Sequence, residues 1–202
     1  MGLLSGGVSA RRFRVVGELP ASWRDVFRDR LEKSAFREPA TKGGKEEIEG
    51  WVRVQNLLDA DFDDFNLWLF QGFALFCLRV DKLVLPGKLL SAHVDKRCRD
   101  WAAKAGVQRV PSAKRKEIKE ALEEEWLARA FPRVVTTEIA WNVTEGWALI
   151  GTTSEKTIDR MRKRFSRTFG LELVPWSPLD ALDPAGRETI MQTVPEITGG
   201  EA

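Results

Sequence analysis

The chain has little of what enzymes commonly use for catalysis. It contains one histidine, two cysteines and no tyrosine among its 202 residues. His93 has no catalytic signature around it, and glycine-rich, Walker A and nucleophile-elbow patterns are absent. Cys77 and Cys98 fit neither a zinc nor a CxxC spacing, which indicates free thiols in a reducing cytosol. These absences favour a protein that is not an enzyme and uses no cofactor.

Long hydrophobic runs are also missing. The longest apolar region, residues 65–80, is interrupted by Asn66, Gln71 and Gly72 and is shorter than the roughly 18 uninterrupted residues of a membrane span. The N-terminal MGLLSGG has no basic start or apolar core of a secretory signal, and Gly6 stands where myristoylation needs Ser or Thr. We therefore expect a cytoplasmic protein with neither a membrane nor a small-molecule partner.

One acidic cluster raises the question of a metal site. Its aspartates begin like a calcium loop at Asp59, but Asp64 occupies the sixth position, where glycine is needed, and Phe70 the twelfth, where a bidentate glutamate belongs. A metal-dependent nuclease that uses residues 59–64 is a less favoured alternative, because such enzymes need clustered carboxylates. The simpler interpretation is a solvated loop, so no metal site is predicted.

Charge is segregated along the chain. Residues 88–119 carry ten Lys or Arg against three acids, whereas the whole chain has a formal net charge of only +2. The stretch is therefore +7 and the remainder −5. Segregation of this kind says more about a partner than the total charge does, and it indicates an anionic one.

Hydrophobic patterning predicts an α+β protein with antiparallel β-hairpins packed against about four helices. The predicted order is β-α-β-β-β-α-α-β-β-α-β. It is arranged around an apolar run at 73–80 that is typical of a strand buried on both faces. The apolar stripe of the second helix after this strand, and the turn that follows it, predict that Trp126 and Phe131 are core residues.

We expect residues 1–180 to form one unit. Within it, 1–85 and 134–180 can form one lobe, from which the helical segment 86–133 projects. Residues 181–202 are predicted to be an irregular C-terminal tail, because they continue a proline-rich stretch that begins at Pro175.

Two basic helices compete as the surface for an anionic partner. Lys114, Arg115 and Lys116 occupy the first turn of one helix, where the positive end of the helix dipole disfavours them. In the other helix, 155–169, the acids come early and the bases late, an order that the dipole favours without a ligand. Residues kept against a local cost are expected where function offsets it, which favours the first helix. The primary predicted contacts are Lys96, Arg97, Arg99, Lys114, Arg115, Lys116 and Lys119, and the secondary ones are Arg160, Lys163, Arg164 and Arg167.

Five segments, taken in order, resemble one protein family. They are ELPASWRDVFRDRLEKSAFREP at 18–39, GWVRV at 50–54, LFCLRVDKLVLP at 75–86, EIKEALEEEWLARAFPR at 117–133 and SEKTIDRMRKRFSRTFGLELVPWSPL at 154–179. No single segment is specific. The ordered set, over about residues 8–180, resembles the recombination-associated RdgC proteins, of which this chain looks like a shortened member.

The resemblance implies a nucleoid-associated, sequence-nonspecific DNA-binding protein that forms a homodimer around duplex DNA and limits access of the RecA recombinase. Lys and Arg side chains would bind phosphates, giving an affinity that falls steeply with salt. Two departures are expected to matter: the family's C-terminal part is missing, and VVTT at 134–137 stands where the family has a basic run. An alternative function is a protein-interaction module that docks an acidic partner through its basic helices.

Overall fold

The computed structural model describes residues 3, 6, 7, 9–38, 47–177 and 181–193. These residues form seven strands, five α-helices and one 3-10 turn. The predicted α+β class is confirmed, and every strand pairing is antiparallel. The order of the elements from the first strand to the last is also the predicted one.

The elements have the following bounds. The strands are β1 Arg11–Val16, β2 Ile48–Val52, β3 Leu69–Phe70, β4 Phe73–Lys82, β5 Arg133–Asn142, β6 Trp147–Ile150 and β7 Glu172–Pro175. The helices are α1 Trp23–Lys33, α2 Gly87–Ala105, α3 Ser112–Arg129, α4 Glu155–Phe169 and α5 Pro184–Thr193, and the 3-10 turn is Phe65–Leu67. No helix in the described part of the chain is both long and apolar enough to cross a membrane.

One seven-stranded sheet organises the molecule. Its order is β2-β4-β5-β6-β1-β7, and β3 pairs with the start of β4. The longest ladder joins β4 to β5, from the pair Phe73 and Asn142 to the pair Lys82 and Arg133. Because α2 and α3 form the connection between these two strands, the helical hairpin leaves and re-enters the sheet at the Lys82 end.

The main core lies between one face of the sheet and helices α1 and α4. Successive strand residues point to opposite faces, and the inward set of β4 is Ala74, Phe76, Leu78 and Val80. The inward residues of α1 and α4 include Phe27 and Phe169, whose rings are 5.1 Å apart. The face that packs on α1 and α4 is called the inner face, and the opposite one the outer face.

The helical hairpin has a small core of its own. Leu90, Val94, Cys98 and Leu122 are buried there, and Trp126 packs against them while partly buried. The prediction for Phe131 is wrong, because its side chain is 94% exposed. The reason is local: α3 ends at Arg129, so helical spacing no longer applies beyond it, and a residue before proline favours the extended conformation.

The prediction of an irregular tail is also wrong for residues 184–193, which form α5. Pro184 stands at the first helical position, where its missing N–H costs nothing. The Asp183 carboxylate accepts a hydrogen bond from the Gly186 N–H at 2.8 Å, which is the usual capping geometry. Residues 194–202 of the predicted tail lie outside the described residues.

A close approach at Gly50 fixes the chain after α1 against β2. The Phe36 N–H donates to the Trp51 carbonyl at 2.9 Å, and the Trp51 N–H donates to the Ser34 carbonyl at 3.1 Å. A Cβ atom on Gly50 would lie 2.3 Å from the Phe36 Cα atom, closer than any real contact. Only glycine therefore allows the two segments to pair.

We expect Gly50→Ala to lower the free energy of unfolding by about 2 kcal/mol or more, because the backbone of one segment must shift. Urea unfolding followed by tryptophan fluorescence measures this effect. Gly87→Ala is the matched control, since a Cβ atom there meets nothing within 4 Å, and it should stay within about 0.5 kcal/mol of the wild type. Equal stability of the two variants would contradict the close approach.

Candidate nucleic-acid interface

The predicted primary surface is the outside of the α2–α3 hairpin, where most of its bases have acidic partners. Arg97 pairs with Glu125 at 2.7 Å, and Arg115 pairs with Asp95 at 2.5 Å, so both of these pairs join the two helices. Hydrogen bonding from Arg97 lowers the pKa of the Glu125 carboxyl. Both pairs join exposed side chains of the two helices and occupy two of the predicted DNA contacts.

The bases in the first turns of α3 pair along the helix. Lys114 lies 2.6 Å from Glu117, and Lys116 and Lys119 lie 3.8 and 3.7 Å from acids one turn further on, Glu120 and Glu123. Spacings of three and four residues stabilise a helix by a few tenths of a kcal/mol per pair. This gain offsets the dipole cost on which the preference for α3 was based.

Two of the primary residues remain without an acidic partner among the described residues, Lys96 and Arg99 on α2. Over the whole hairpin, residues 87–129, eleven bases face seven acids, a net charge of +4. The +7 of residues 88–119 therefore overstates the field of this part of the molecule, because the acids of α3 follow directly. Exposed ion pairs are weak, so these bases can still exchange a carboxylate for a phosphate.

The predicted secondary surface lies on α4 and is more concentrated. Its fifteen residues hold six bases and two acids, again a net of +4. Lys156, Arg160, Lys163 and Arg167 recur at the spacing of one helix face and form a row about 16 Å long. We call these four residues the α4 stripe. Lys156, Lys163 and Arg167 are exposed and have no acidic partner in the described part of the chain.

The α4 stripe borders an open groove of about 340 Å³ that Glu49, Asp159 and Arg164 also line. Arg160 is anchored by Glu47 at 2.6 Å. The hydrogen bonds from Lys82 and Arg160 lower the pKa of the Glu47 carboxyl. One wall of the groove is thus fixed by ion pairs, while three bases of the stripe face solvent.

Arg164 leaves one donor unused at the base of this groove. Its Nη2 donates to the Ser34 carbonyl at 2.9 Å, and its Nη1 lies 3.6 Å from Glu49. Its Nε is buried and has no hydrogen-bond partner among the described residues. A buried donor without an acceptor is unusual in native structures, and because this atom is closed to solvent it is not itself a contact for a ligand in the open groove.

The acidic loop of residues 59–64 uses its carboxylates on its own backbone. Asp59 accepts from the Asp61 N–H at 3.2 Å, Asp61 from the Asp63 N–H at 2.9 Å, and Asp64 from the Asn66 N–H at 2.9 Å. Asp59 also pairs with Arg53. No group of three or more His, Cys, Asp or Glu side chains in the described residues is placed to hold a metal ion.

Two arrangements on the outer face of the sheet were not predicted. Arg79 makes a bidentate pair with Asp81, at 2.8 and 2.7 Å, and both are buried near the C-terminal end of β4. Arg12 lies between the indoles of Trp147 and Trp176. Strand alternation places Arg12 on the outer face, but it does not show which side chains the sheet brings beside it.

A comparison with models of protein families found a match. A family model described as "Putative exonuclease, RdgC" matches residues 10–185, which is most of the chain. A comparison with curated proteins found no match.

The thiol of Cys77 lies in β4 on the outer face and is fully buried. Burial raises the pKa of this thiol to about 12, whereas a free cysteine has a pKa of about 8.5. Because the thiolate is the nucleophile, Cys77 is protonated and unreactive at neutral pH.

We expect Cys77 to resist thiol reagents in the folded protein up to about pH 9, since its pKa lies well above that value. The measurement is the rate of reaction with a chromogenic disulfide on a Cys98→Ala variant, which isolates Cys77. The same variant in urea is the control and should react fully. Rapid labelling of the folded variant that accelerates between about pH 7 and 9 would show an ordinary, accessible thiol.

Proposed function

Because the chain belongs to the RdgC family, we propose that it is a recombination-associated protein that binds duplex DNA through its phosphates, without reading sequence. The observation that carries the proposal is the α4 stripe, in which three exposed bases without acidic partners border an open groove. Membership of the family supports the recombination-associated role. The chemistry of the groove supports a polyanion as the ligand.

The geometry of the stripe fits a phosphate backbone better than a single small anion. Four bases in a row of about 16 Å can each meet a different phosphate, since charges on one DNA strand are separated by about 3.4 Å along the axis. Lys and flexible Arg side chains on a helix surface bind phosphate without a fixed orientation toward a base edge. Affinity then comes from the release of condensed counterions and carries little sequence information.

The hairpin supplies the second contact surface in this proposal. Lys96 and Arg99 have no acidic partner in the described part of the chain, and the exposed pairs of Lys116 and Lys119 are long enough to exchange easily. An exposed pair contributes at most about 1 kcal/mol, so DNA phosphates can compete with the glutamates. The order of the two surfaces is thus reversed relative to the sequence-based preference: α4 leads and the hairpin assists.

A protein that covers duplex DNA in this way competes with any other protein for the same stretch. Limitation of RecA access follows from occupancy alone and requires no direct contact with the recombinase. The rival function, docking of an acidic protein partner, uses the same bases. The two functions differ in what the protein binds. An acidic-partner module would bind heparin or the acidic protein, and its affinity for DNA would not depend on the length of the DNA.

The test compares two charge reversals of equal size. Lys163→Glu with Arg167→Glu should weaken duplex binding at least about ten-fold and lower the salt slope by about two, because two phosphate contacts are lost. Lys114→Glu with Lys116→Glu should have a smaller effect, because both bases already have glutamate partners. Fluorescence anisotropy with a labelled duplex at several salt concentrations measures both quantities.

If the hairpin pair abolishes binding while the α4 pair leaves it intact, the hairpin is the main surface. If the wild type binds no duplex at low salt, the proposed function fails.

Incubation of plasmid DNA with the protein and magnesium or manganese tests the nuclease alternative. Metal-dependent cleavage would support the nuclease alternative that residues 59–64 suggested.

The exposed Phe131 supports self-association, which the family resemblance also implies. Its ring is 94% exposed on the short connection between α3 and β5, and Val134, which follows on the outer face of β5, is 42% exposed. A large aromatic ring left in water is a candidate for burial in an interface. We include a homodimer through Phe131 in the proposal.

We expect Phe131→Ser to shift the protein from dimer to monomer with little change in unfolding free energy, since an exposed side chain contributes little to the folded monomer. Mass in solution by light scattering over a range of concentrations measures the change. Leu58→Ser is the matched control, because Leu58 is 79% exposed in a different loop. A wild type that is monomeric throughout, or a Phe131→Ser protein that remains dimeric, would contradict this interface.

A further inference from the structure

The outer face of the sheet is unusually aromatic near its β6–β1–β7 edge. Antiparallel sheets with one covered face normally alternate apolar residues inward with polar residues outward. Here the register places Trp147 beside Arg14 and Asn142, and Phe73 beside Asn142, all on the outer face. The rings of Phe73 and Trp147 are 5.6 Å apart in an edge-to-face arrangement. This part of the outer face therefore departs from the expected pattern.

Arg12 lies at the centre of this aromatic region. Its guanidinium carbon is 4.5 Å from the Trp147 ring centroid and 5.2 Å from the Trp176 ring centroid. The main-chain N–H of Trp176 donates to the main-chain carbonyl of Arg12 at 3.0 Å, which places the two residues side by side. Both indoles are half-buried, and Arg12 is exposed. We call Trp147, Arg12 and Trp176 the Arg12 sandwich.

In the Arg12 sandwich the planar faces of the guanidinium contact the indole rings, whereas the N–H donors at its edges have no carboxylate partner in the described part of the chain. Cation–π contacts use the flat faces of Arg, whereas its five N–H donors lie in the plane of the group. No carboxylate among the described residues pairs with Arg12. The nearby Glu145 accepts from the Trp147 indole N–H at 2.5 Å instead. An exposed, immobilised fork of donors remains, and this fork matches the oxygens of a phosphate.

A set of N–H donors that can bind phosphate, placed beside half-buried indoles, fits one class of ligand best. Single-stranded nucleic acid presents both a phosphate backbone and unstacked bases, which bind to aromatic side chains whatever their sequence. In a duplex the base faces are already stacked, and only the phosphates, the sugars and the base edges in the grooves remain accessible. The combination therefore discriminates unpaired from paired nucleotides, which the α4 stripe cannot do.

We propose that the Arg12 sandwich binds unpaired nucleotides, with a phosphate on Arg12 and a base against the indoles of Trp176 and Trp147. This inference rests on the proposed function, since it adds a single-strand site to a duplex-binding protein. The two sites lie on opposite faces of the sheet, because α4 covers the inner face and Arg12 points outward. One chain can thus contact a duplex and an unpaired strand at a junction without competition between them.

The experiment measures affinity for an oligothymidine of about 20 nucleotides and for a duplex of similar length on each variant. Arg12→Gln and, separately, Trp176→Leu should weaken oligothymidine binding by about ten-fold or more and leave duplex binding within about two-fold. Arg12→Lys keeps the charge but loses the planar fork, so it should lose single-strand affinity as well. The control is Arg24→Gln, which removes a guanidinium that lies 5.3 Å over the Trp23 ring on α1. It should affect neither ligand.

Equal losses on both ligands would overturn the single-strand site, because they would show an ordinary phosphate contact. So would unchanged oligothymidine binding by Arg12→Gln, or a change in solution mass, which would mean that a second copy covers this face. Duplex binding by the wild type in the same assay separates the two proposals. If it persists and still depends on Lys163 and Arg167 while the Arg12 variants change nothing, only the inference fails; if it is absent, the proposed function fails.

Discussion

The packing of Phe169 is the constraint on which the rest of the structure depends. Its ring lies within 4.8 to 6.2 Å of five other aromatic rings, those of Phe27, Trp51, Phe76, Trp141 and Phe165. They come from α1, β2, β4, β5 and α4 itself, so a single side chain joins both helices of the inner layer to three strands. The indole of Trp51 adds a hydrogen bond to the Thr168 hydroxyl at 2.9 Å. This cluster fixes which face of α4 packs on the sheet.

That constraint decides where the charges of α4 point. Since Ile158, Met161, Phe165 and Phe169 face the sheet, the α4 stripe must face away from it. The stripe is therefore carried by a helix that packs on the main core, in contrast to the bases of the hairpin, whose core is small and separate. The same sheet presents Arg12 between two indoles on the other side. Three sets of basic residues thus have different surroundings. Five of the seven predicted contacts on the hairpin pair with acids, and three of the four residues of the α4 stripe have no acidic partner among the described residues, Arg160 being paired with Glu47. Arg12 is stacked on indoles on the outer face.

Much of the fold could be predicted because the relevant signals are local. Gly106 and Gly170 end α2 and α4 in the left-handed conformation, and a glycine after the last apolar position of a helical pattern is a signal that can be read from the sequence. Phe131 shows the limit of such local signals. The prediction that it is buried applied the apolar periodicity of α3 beyond Arg129, where the helix ends. The charge of the hairpin was misjudged in a similar way. A count over residues 88–119 omits the glutamates that follow, and those side chains return along the helix to pair with the bases.

By itself, the sequence determined the α+β class, the order of the elements, the resemblance to the RdgC family and the residues able to carry positive charge, since composition and periodicity act over a few neighbouring residues. The tertiary structure alone decided which of those charges remain unpaired and what surrounds them. Glu47 reaches Lys82 and Arg160 across the fold, and Trp176 comes beside Arg12 through strand pairing between distant segments. Partners of this kind depend on long-range register, which no local pattern of residues encodes.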